Sequence, residues 1–317
     1  LTGAPAPAQA HRVRHLLPVH GPLDLDLTLQ CGQAFRWVRE SVGAGSGVVG
    51  GAFVRARRDG PGGPLILEVA GNDPGPEAWI RYFRLDENPE IHLAGAPGLD
   101  ELKAIPGFMP LLGLRLLRQD PWETLASFIC SAAANILKIT RCVEGIATRY
   151  GDPLPGASRH AFPSPAALAR ARETGLRSLG LGFRAPFLLE TARRLAKEPM
   201  PWERLRSAPI EEARARLTDL PGVGTKIADC VLLFGLDRLD AYPVDRWIRR
   251  ATMELSDRPK ARDRELEEWA QRLGPGRGYL QQLLFHLRRT GGPLPPLSPV
   301  PTTSAAPRFA AKPRSRA

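Results

Sequence analysis

The stretch Leu220 to Asp245, LPGVGTKIADCVLLFGLDRLDAYPVD, limits the possible folds of this chain more than any other. Leu220-Pro221-Gly222-Val223-Gly224 reads as a tight turn: Pro221 fixes its own φ, and the two glycines permit positive φ and close approach of another backbone. Helix-compatible apolar residues run from Ile227 to Leu236, and Glu211 to Leu217 also has helical character. The pattern is helix, glycine hairpin, helix, over residues 211–236. Such a hairpin offers the backbone N–H groups of Gly222, Val223, Gly224 and Thr225 at a helix start, where the macrodipole favours an anion. With a net charge of +11 and a pI near 10.1, the natural anion is a DNA phosphate.

Two residues of this stretch are chemically unusual. Lys226 lies in the first turn of the second helix, where a cation opposes the dipole. Asp245 follows Pro243-Val244 and is placed as an N-cap for a helix Arg246 to Leu255. An amine and a carboxylate at two helix starts suit imine chemistry. The amine attacks a carbon that bears a leaving group, and the carboxylate stabilises developing positive charge. Lysine is rare here: Lys103, Lys138, Lys197, Lys226, Lys260 and Lys312 are six of the 44 basic residues, and the other 38 are arginine. A chain that uses arginine so consistently has little reason to place lysine at a plain phosphate contact, whereas only lysine can become an amine nucleophile. The plainer alternatives are a hairpin that merely holds DNA, with Lys226 on a phosphate and Asp245 only capping its helix.

Around this stretch the chain divides by periodicity. Residues 1–20 read as a disordered lead-in, and the Ala-Pro-rich start lacks the apolar core of a signal peptide. Residues 21–109 read as an antiparallel β-rich unit. Its strand candidates are Leu23 to Leu29, Ala34 to Val38, Val48 to Arg57 and Leu65 to Val69, with turns at Gly43 to Gly47 and Asp59 to Pro64. Trp79 to Leu85 is expected as a helix packed on that sheet. Residues 110–290 have helical period throughout. The helix candidates are Trp122 to Ala134, Ile136 to Tyr150, Pro165 to Arg172, Pro186 to Lys197, Ile210 to Leu217, Thr225 to Gly235, Arg246 to Leu255, Arg262 to Leu273 and Tyr279 to Arg289. Residues 291–317, with Arg308, Lys312, Arg314 and Arg316, read as a disordered basic tail. The fold class is α+β. No apolar run approaches the ~18–20 residues of a membrane span. Cys31, Cys130, Cys142 and Cys230 form no CxxC pair or zinc-ligand cluster and are expected as reduced, buried thiols.

LPGVGTKIADC followed by PVD resembles the Ogg-type 8-oxoguanine DNA glycosylase/AP lyases of the helix-hairpin-helix superfamily. The resemblance extends to LRQDPWETLASFICS (Leu117 to Ser131), LGLGFRA (Leu179 to Ala185), LQCGQAFRW (Leu29 to Trp37) and LQQLLF (Leu280 to Phe285), in the family's order. It implies excision of 8-oxoguanine from duplex DNA followed by β-elimination 3′ to the lesion. Lys226 would be the nucleophile at C1′, which requires a desolvated amine, and Asp245 would stabilise the cationic sugar. Cys230, one turn after Lys226, would face it as a thiolate–ammonium dipole that favours 8-oxoguanine over guanine. The Gly32 carbonyl would accept from N7–H of the lesion. Gln281 would bind the Watson–Crick edge of the flipped base, and Phe285 would stack on it.

The resemblance further implies that Phe183 is a wedge beside the extruded base and that Arg184 reaches the orphaned partner base. The family's Asn-rich run meets the opposite cytosine. Here it reads Ala132-Ala133-Ala134-Asn135, only Asn135 keeps the pattern, and Lys138 replaces an arginine. A weaker preference for cytosine is therefore expected, with Lys138 and Arg184 as remaining donors. Trp247 stands where a phosphate-binding His is usual, which puts that contact in question. No organic cofactor and no metal is expected in catalysis, the four-cysteine iron–sulfur loop is missing, and a structural cation at the hairpin is open. The expected partner is double-stranded DNA containing 8-oxoguanine, with no membrane, and a monomer is expected. Its place is with the DNA, in the cytoplasm or nucleoid of a prokaryote or the nucleus of a eukaryote. A monofunctional alkylbase glycosylase would need Asp245 but no lysine at position 226. A non-catalytic DNA-binding protein would need neither.

Overall fold

The computed structural model describes residues 12–298. Five strands, β1 (Val13–Leu17), β2 (Trp37–Ser41), β3 (Ala44–Val49), β4 (Ala52–Arg58) and β5 (Leu65–Gly71), form one antiparallel sheet in the order β1-β5-β4-β3-β2. Helix α1 (Leu25–Gln30) precedes β2, and α2 (Pro76–Phe83) follows β5. The sheet's core joins Val54, Leu65, Leu67 and Val69 to Trp79 and Phe83 of α2. Tyr82 accepts a hydrogen bond from the Trp37 indole at 2.9 Å, so α2 is fixed by a polar contact as well as by burial.

The helical unit follows: α3 (Leu99–Ala104), α4 (Pro121–Ile129), α5 (Ile136–Tyr150), α6 (Pro165–Ala169), α7 (Glu173–Leu176), α8 (Arg184–Lys197), α9 (Trp202–Ser207), α10 (Ile210–Thr218), α11 (Thr225–Cys230), α12 (Arg246–Leu255), α13 (Asp263–Ala270) and α14 (Arg277–Thr290). A second hydrophobic core fills it. Buried arginines join the two units. The Arg115 guanidinium donates to the carbonyls of Pro22, Arg84, Glu87 and His20, and Arg84 donates to Leu116 O and pairs with Glu87 and Asp237. Each buried charge is thus fully engaged, the condition under which burying it is tolerable.

Several sequence expectations need correction. Leu23 to Leu29 is not a strand: Asp24 Oδ1 accepts from Leu27 N at 2.8 Å and caps α1, so leucines two apart serve helical rather than strand geometry. Gly43 to Gly47 is not a turn but mostly β3. Side chains there would collide with the Leu29 and Trp37 side chains, so Gly45 and Gly47 give space for packing across the sheet. Val48 to Arg57 is correspondingly two strands broken at Gly50-Gly51. The lead-in expected to be disordered over 1–20 contains β1, which covers the edge of β5 with register Val13↔Val69. Residues 1–11 lie outside the described residues.

The tail expected from 291 is ordered as far as it is described. Leu294 is buried against the helical core, and Leu297 N donates to Leu255 O at 2.9 Å. Arg308, Lys312, Arg314 and Arg316 lie outside the described residues. The helix expected over Trp122 to Ala134 ends at Ile129. Ala133 takes a left-handed φ of 49°, and Asn135 starts α5 as its cap.

Candidate active site

The hairpin is built by α10 and α11. Gly222 has φ 75°, and a Cβ there would meet Phe187 Cβ at 2.7 Å, so both backbone and space require glycine. Val223 differs from expectation: its side chain is buried and its N–H already donates to Leu220 O at 3.1 Å. The N–H groups without a helical acceptor are those of the first turn of α11, starting at Thr225, with Gly224 as its cap. α11 continues through a wider turn, Val231–Gly235. Across the hairpin, Arg214 Nε donates to the fully buried Asp229 at 2.8 Å and ties α10 to α11.

Lys226 is half-buried at the start of α11. Its Nζ donates to Ser131 Oγ at 3.3 Å and lies 5.0 Å from the centroid of Phe128. Phe128 is stacked on Phe234 at 5.5 Å and meets Phe35 edge-on at 5.4 Å. The amine therefore stands on an aromatic floor with the Ser131 hydroxyl as a hydrogen-bond partner. Sequence reasoning missed Ser131 and Phe128. Phe128 lies in the last turn of α4 and Ser131 just beyond it, its Oγ donating to Phe128 O at 2.6 Å, but nothing local says that this helix end meets a lysine 95 residues further on.

Asp245 caps α12 as expected: Oδ1 accepts from Trp247 N and Ile248 N, both at 2.9 Å. Cys230 is buried within electrostatic reach of both Lys226 and Asp245. Burial pushes its thiol up to about 12, while Lys226 pulls the other way and Asp245 adds to the rise. Burial thus works against the expected thiolate–ammonium dipole, and Lys226 works for it. Iodoacetamide at pH 8 accordingly leaves Cys230 unmodified in the native protein and alkylates it after denaturation. Peptide mass spectrometry reads the difference, and fast native labelling would mean that the thiolate is populated.

Gly32 sits on the other side of the site with φ 91°. A Cβ there would lie 2.7 Å from Ile136 Cδ1 and 3.9 Å from Phe285 Cε1, so the glycine packs next to the expected stacking ring. Its neighbours are held by buried amides. Gln282 Nε2 donates to Cys31 O at 3.2 Å, and Gln33 Nε2 donates to Thr28 O and Arg115 O. Gln281, on α14 with Phe285, donates to Pro243 O at 3.1 Å and so fixes the segment that carries Asp245. Its buried Oε1 has no partner, an acceptor left for a ligand. Phe285 is half-buried, with Arg289 over its ring at 5.3 Å.

On the outer face, Phe183 is 54% exposed, as a wedge must be. Arg184 does not fit its expected role. It is buried, and its guanidinium donates to the carbonyls of Leu181, Ala132 and Ala133. It shapes the turn before α5, with all three of its nitrogens turned onto backbone carbonyls. Asn135 Oδ1 accepts from Lys138 N at 2.9 Å, so Asn135 acts as the cap of α5. The Lys138 side chain is exposed. Trp247 is half-buried, and its N–H belongs to the Asp245 cap. All four cysteines are free and buried. Among the described residues no group of three or more His, Cys, Asp or Glu side chains could hold a metal, and no helix is long and apolar enough to cross a membrane.

Residues 16–125 match the family described as 8-oxoguanine DNA glycosylase, N-terminal domain. The chain is 34% identical over 285 residues to an N-glycosylase/DNA lyase OGG1 of Arabidopsis thaliana, covering 84% of this chain and 77% of that protein. It is similar to MBOgg1 in complex with a low-affinity DNA ligand, with TM-score 0.76, 28% identity, and 88% and 95% of the two chains covered. It is also similar to the Clostridium acetobutylicum 8-oxoguanine glycosylase/lyase in complex with double-stranded DNA containing cytosine opposite 8-oxoG. That match has TM-score 0.74 and 29% identity, and covers 84% and 92% of the two chains.

Proposed function

We propose how the site works in this chain, which belongs to the Ogg-type family of 8-oxoguanine DNA glycosylase/AP lyases. It is a bifunctional enzyme that excises 8-oxoguanine from duplex DNA and cuts the strand at the resulting site. The observation that supports the mechanism is Lys226 Nζ held on an aromatic floor beside Ser131, with the buried Cys230 thiol within electrostatic reach of both the amine and the Asp245 carboxylate. Bound DNA removes the water that still reaches the half-buried amine. Nζ attacks C1′ of the flipped nucleoside, the C1′–N9 bond breaks, and its electron pair leaves with the base, which takes up a proton. Asp245 faces the positive charge that develops on the sugar. Sugar ring opening gives an imine. Loss of a C2′ proton then expels the 3′ phosphate, and water hydrolyses the imine to free Lys226. An amine and a carboxylate suffice for both steps, so no organic cofactor takes part. The Gly32 carbonyl, the free Oε1 of Gln281 and the Phe285 ring receive the base. The enzyme's place is inside the cell with the genomic DNA.

Ala132 to Asn135, by the family resemblance, meets the base opposite the lesion. With Arg184 committed to backbone carbonyls, Lys138 is the free donor there. One exposed ammonium discriminates by about one hydrogen bond, roughly 1 kcal/mol. Duplexes with 8-oxoguanine opposite C, A, G or T are therefore all nicked, at rates within about tenfold of one another. A denaturing gel reads this. A preference for cytosine well beyond that range would reject the account of the turn, and absence of nicking from every duplex would reject the mechanism itself.

A further inference from the structure

We propose that Arg246, Trp247 and Arg250 form a clamp for a DNA backbone phosphate beside the sugar under attack, an inference that rests on the reading of this chain as a duplex-DNA enzyme. The Arg246 guanidinium carbon lies 4.9 Å from the centroid of the Trp247 indole, and that of Arg250 lies 5.6 Å from it. One aromatic ring thus holds two guanidiniums, which restricts side chains that would otherwise range through solvent. Both arginines are exposed, and among the described residues neither meets a carboxylate. The arginine between them behaves differently: Arg249 bonds Asp263 at 2.5 Å. Elsewhere on the surface, Arg177 and Arg264 each pair with a glutamate one turn away. Arg246 and Arg250 are also one turn apart, a spacing at which like charges destabilise a helix. Two repelling cations held on one indole without a counter-ion form an arrangement that an anion would relieve.

The location selects the anion. Trp247 N donates to Asp245 Oδ1 at 2.9 Å, so the clamp begins within one helical turn of the carboxylate that faces the sugar. In duplex DNA the anions nearest a sugar are its own flanking phosphates. A guanidinium fork matches phosphate oxygens in pairs, and two forks neutralise one phosphate without using a base edge. The clamp therefore contributes affinity and register, not choice of lesion. It also keeps phosphate charge from competing with Asp245 for the positive sugar. This gives Trp247 a purpose, as the platform, at a position where a His would have bound phosphate directly.

The test is a salt series of binding to a labelled undamaged duplex, comparing the wild type with the Arg246→Ala/Arg250→Ala double variant. The expected result is a slope of log Kd against log[NaCl] that is smaller in magnitude by about 1, since the one phosphate contact that is lost contributes about 0.9. The expected Kd at about 0.1 M NaCl is at least tenfold weaker, with an unchanged melting temperature. Arg246→Lys/Arg250→Lys keeps the charge but not the flat stack, so it restores the slope and only part of the affinity. Trp247→Leu, with both arginines retained, weakens binding by an intermediate factor. A double alanine variant with the wild-type slope and Kd overturns the clamp. Salt-independent duplex binding by the wild type would instead overturn the DNA reading on which it rests.

Discussion

Lys226→Gln abolishes the covalent adduct formed with 8-oxoguanine duplex under borohydride, and strand cutting with it. The amine is the one group described at this site that can form an imine, because the Ser131 hydroxyl, the Cys230 thiol and the Asp245 carboxylate carry no nitrogen. Glutamine has a similar length and can still donate to Ser131 Oγ, so the fold and the DNA-binding face are retained. The expected loss is on the order of 10³-fold or more in base release, the scale on which removal of a covalent nucleophile acts. Borohydride-trapped complex on a denaturing protein gel is the readout. Adduct formed by the variant at anything near the wild-type rate would mean that another amine does the chemistry.

Asp245→Asn has the second largest effect, and it separates two roles that alanine would confuse. The Asp245 carboxylate caps α12 through Oδ1, and an asparagine side chain has an acceptor in the same place. The cap therefore survives while the charge is lost. Base release at saturating enzyme is expected to fall by about 10²–10³, the loss found when one preorganised electrostatic contact to a transition state is removed. The melting temperature should stay at the wild-type value. Asp245→Ala should lose activity to a similar extent and also about 1 kcal/mol of stability, because two N–H groups then lose their acceptor. Were the asparagine variant as fast as the wild type, Asp245 would be a cap and nothing more.

The chemistry was legible because its signals are local. Lys226, the glycines of the hairpin and the Asp245 cap lie within one stretch of chain; the glycines and the cap suit their immediate backbone setting, and the lysine stands out because it opposes its own. A lysine set among arginines is conspicuous without coordinates. Residues that depend on distant partners were read less well. Arg184 looks like a surface base reader in sequence, yet its guanidinium is drawn onto the carbonyls of Ala132 and Ala133, some fifty residues away in the chain. Cys230 was rightly placed beside Lys226 by helical spacing, but its protonation state depends on how deeply the core encloses it. The glycines of β3 signal a turn by composition and serve as space under Leu29 and Trp37.

By itself, then, the chain specified the helix-hairpin-helix, the amine, its carboxylate and the α+β order of the two units, since periodicity and capping are decided within a few neighbouring residues. Only the tertiary structure decided that Ser131 and an aromatic floor meet the amine, that burial pushes the Cys230 thiol up, that Arg184 faces inward, and that two arginines stack on Trp247 with no counter-charge among the described residues. Burial and the engagement of hydrogen-bond donors depend on groups brought together from far along the chain, and such encounters leave no mark on the local pattern of residues.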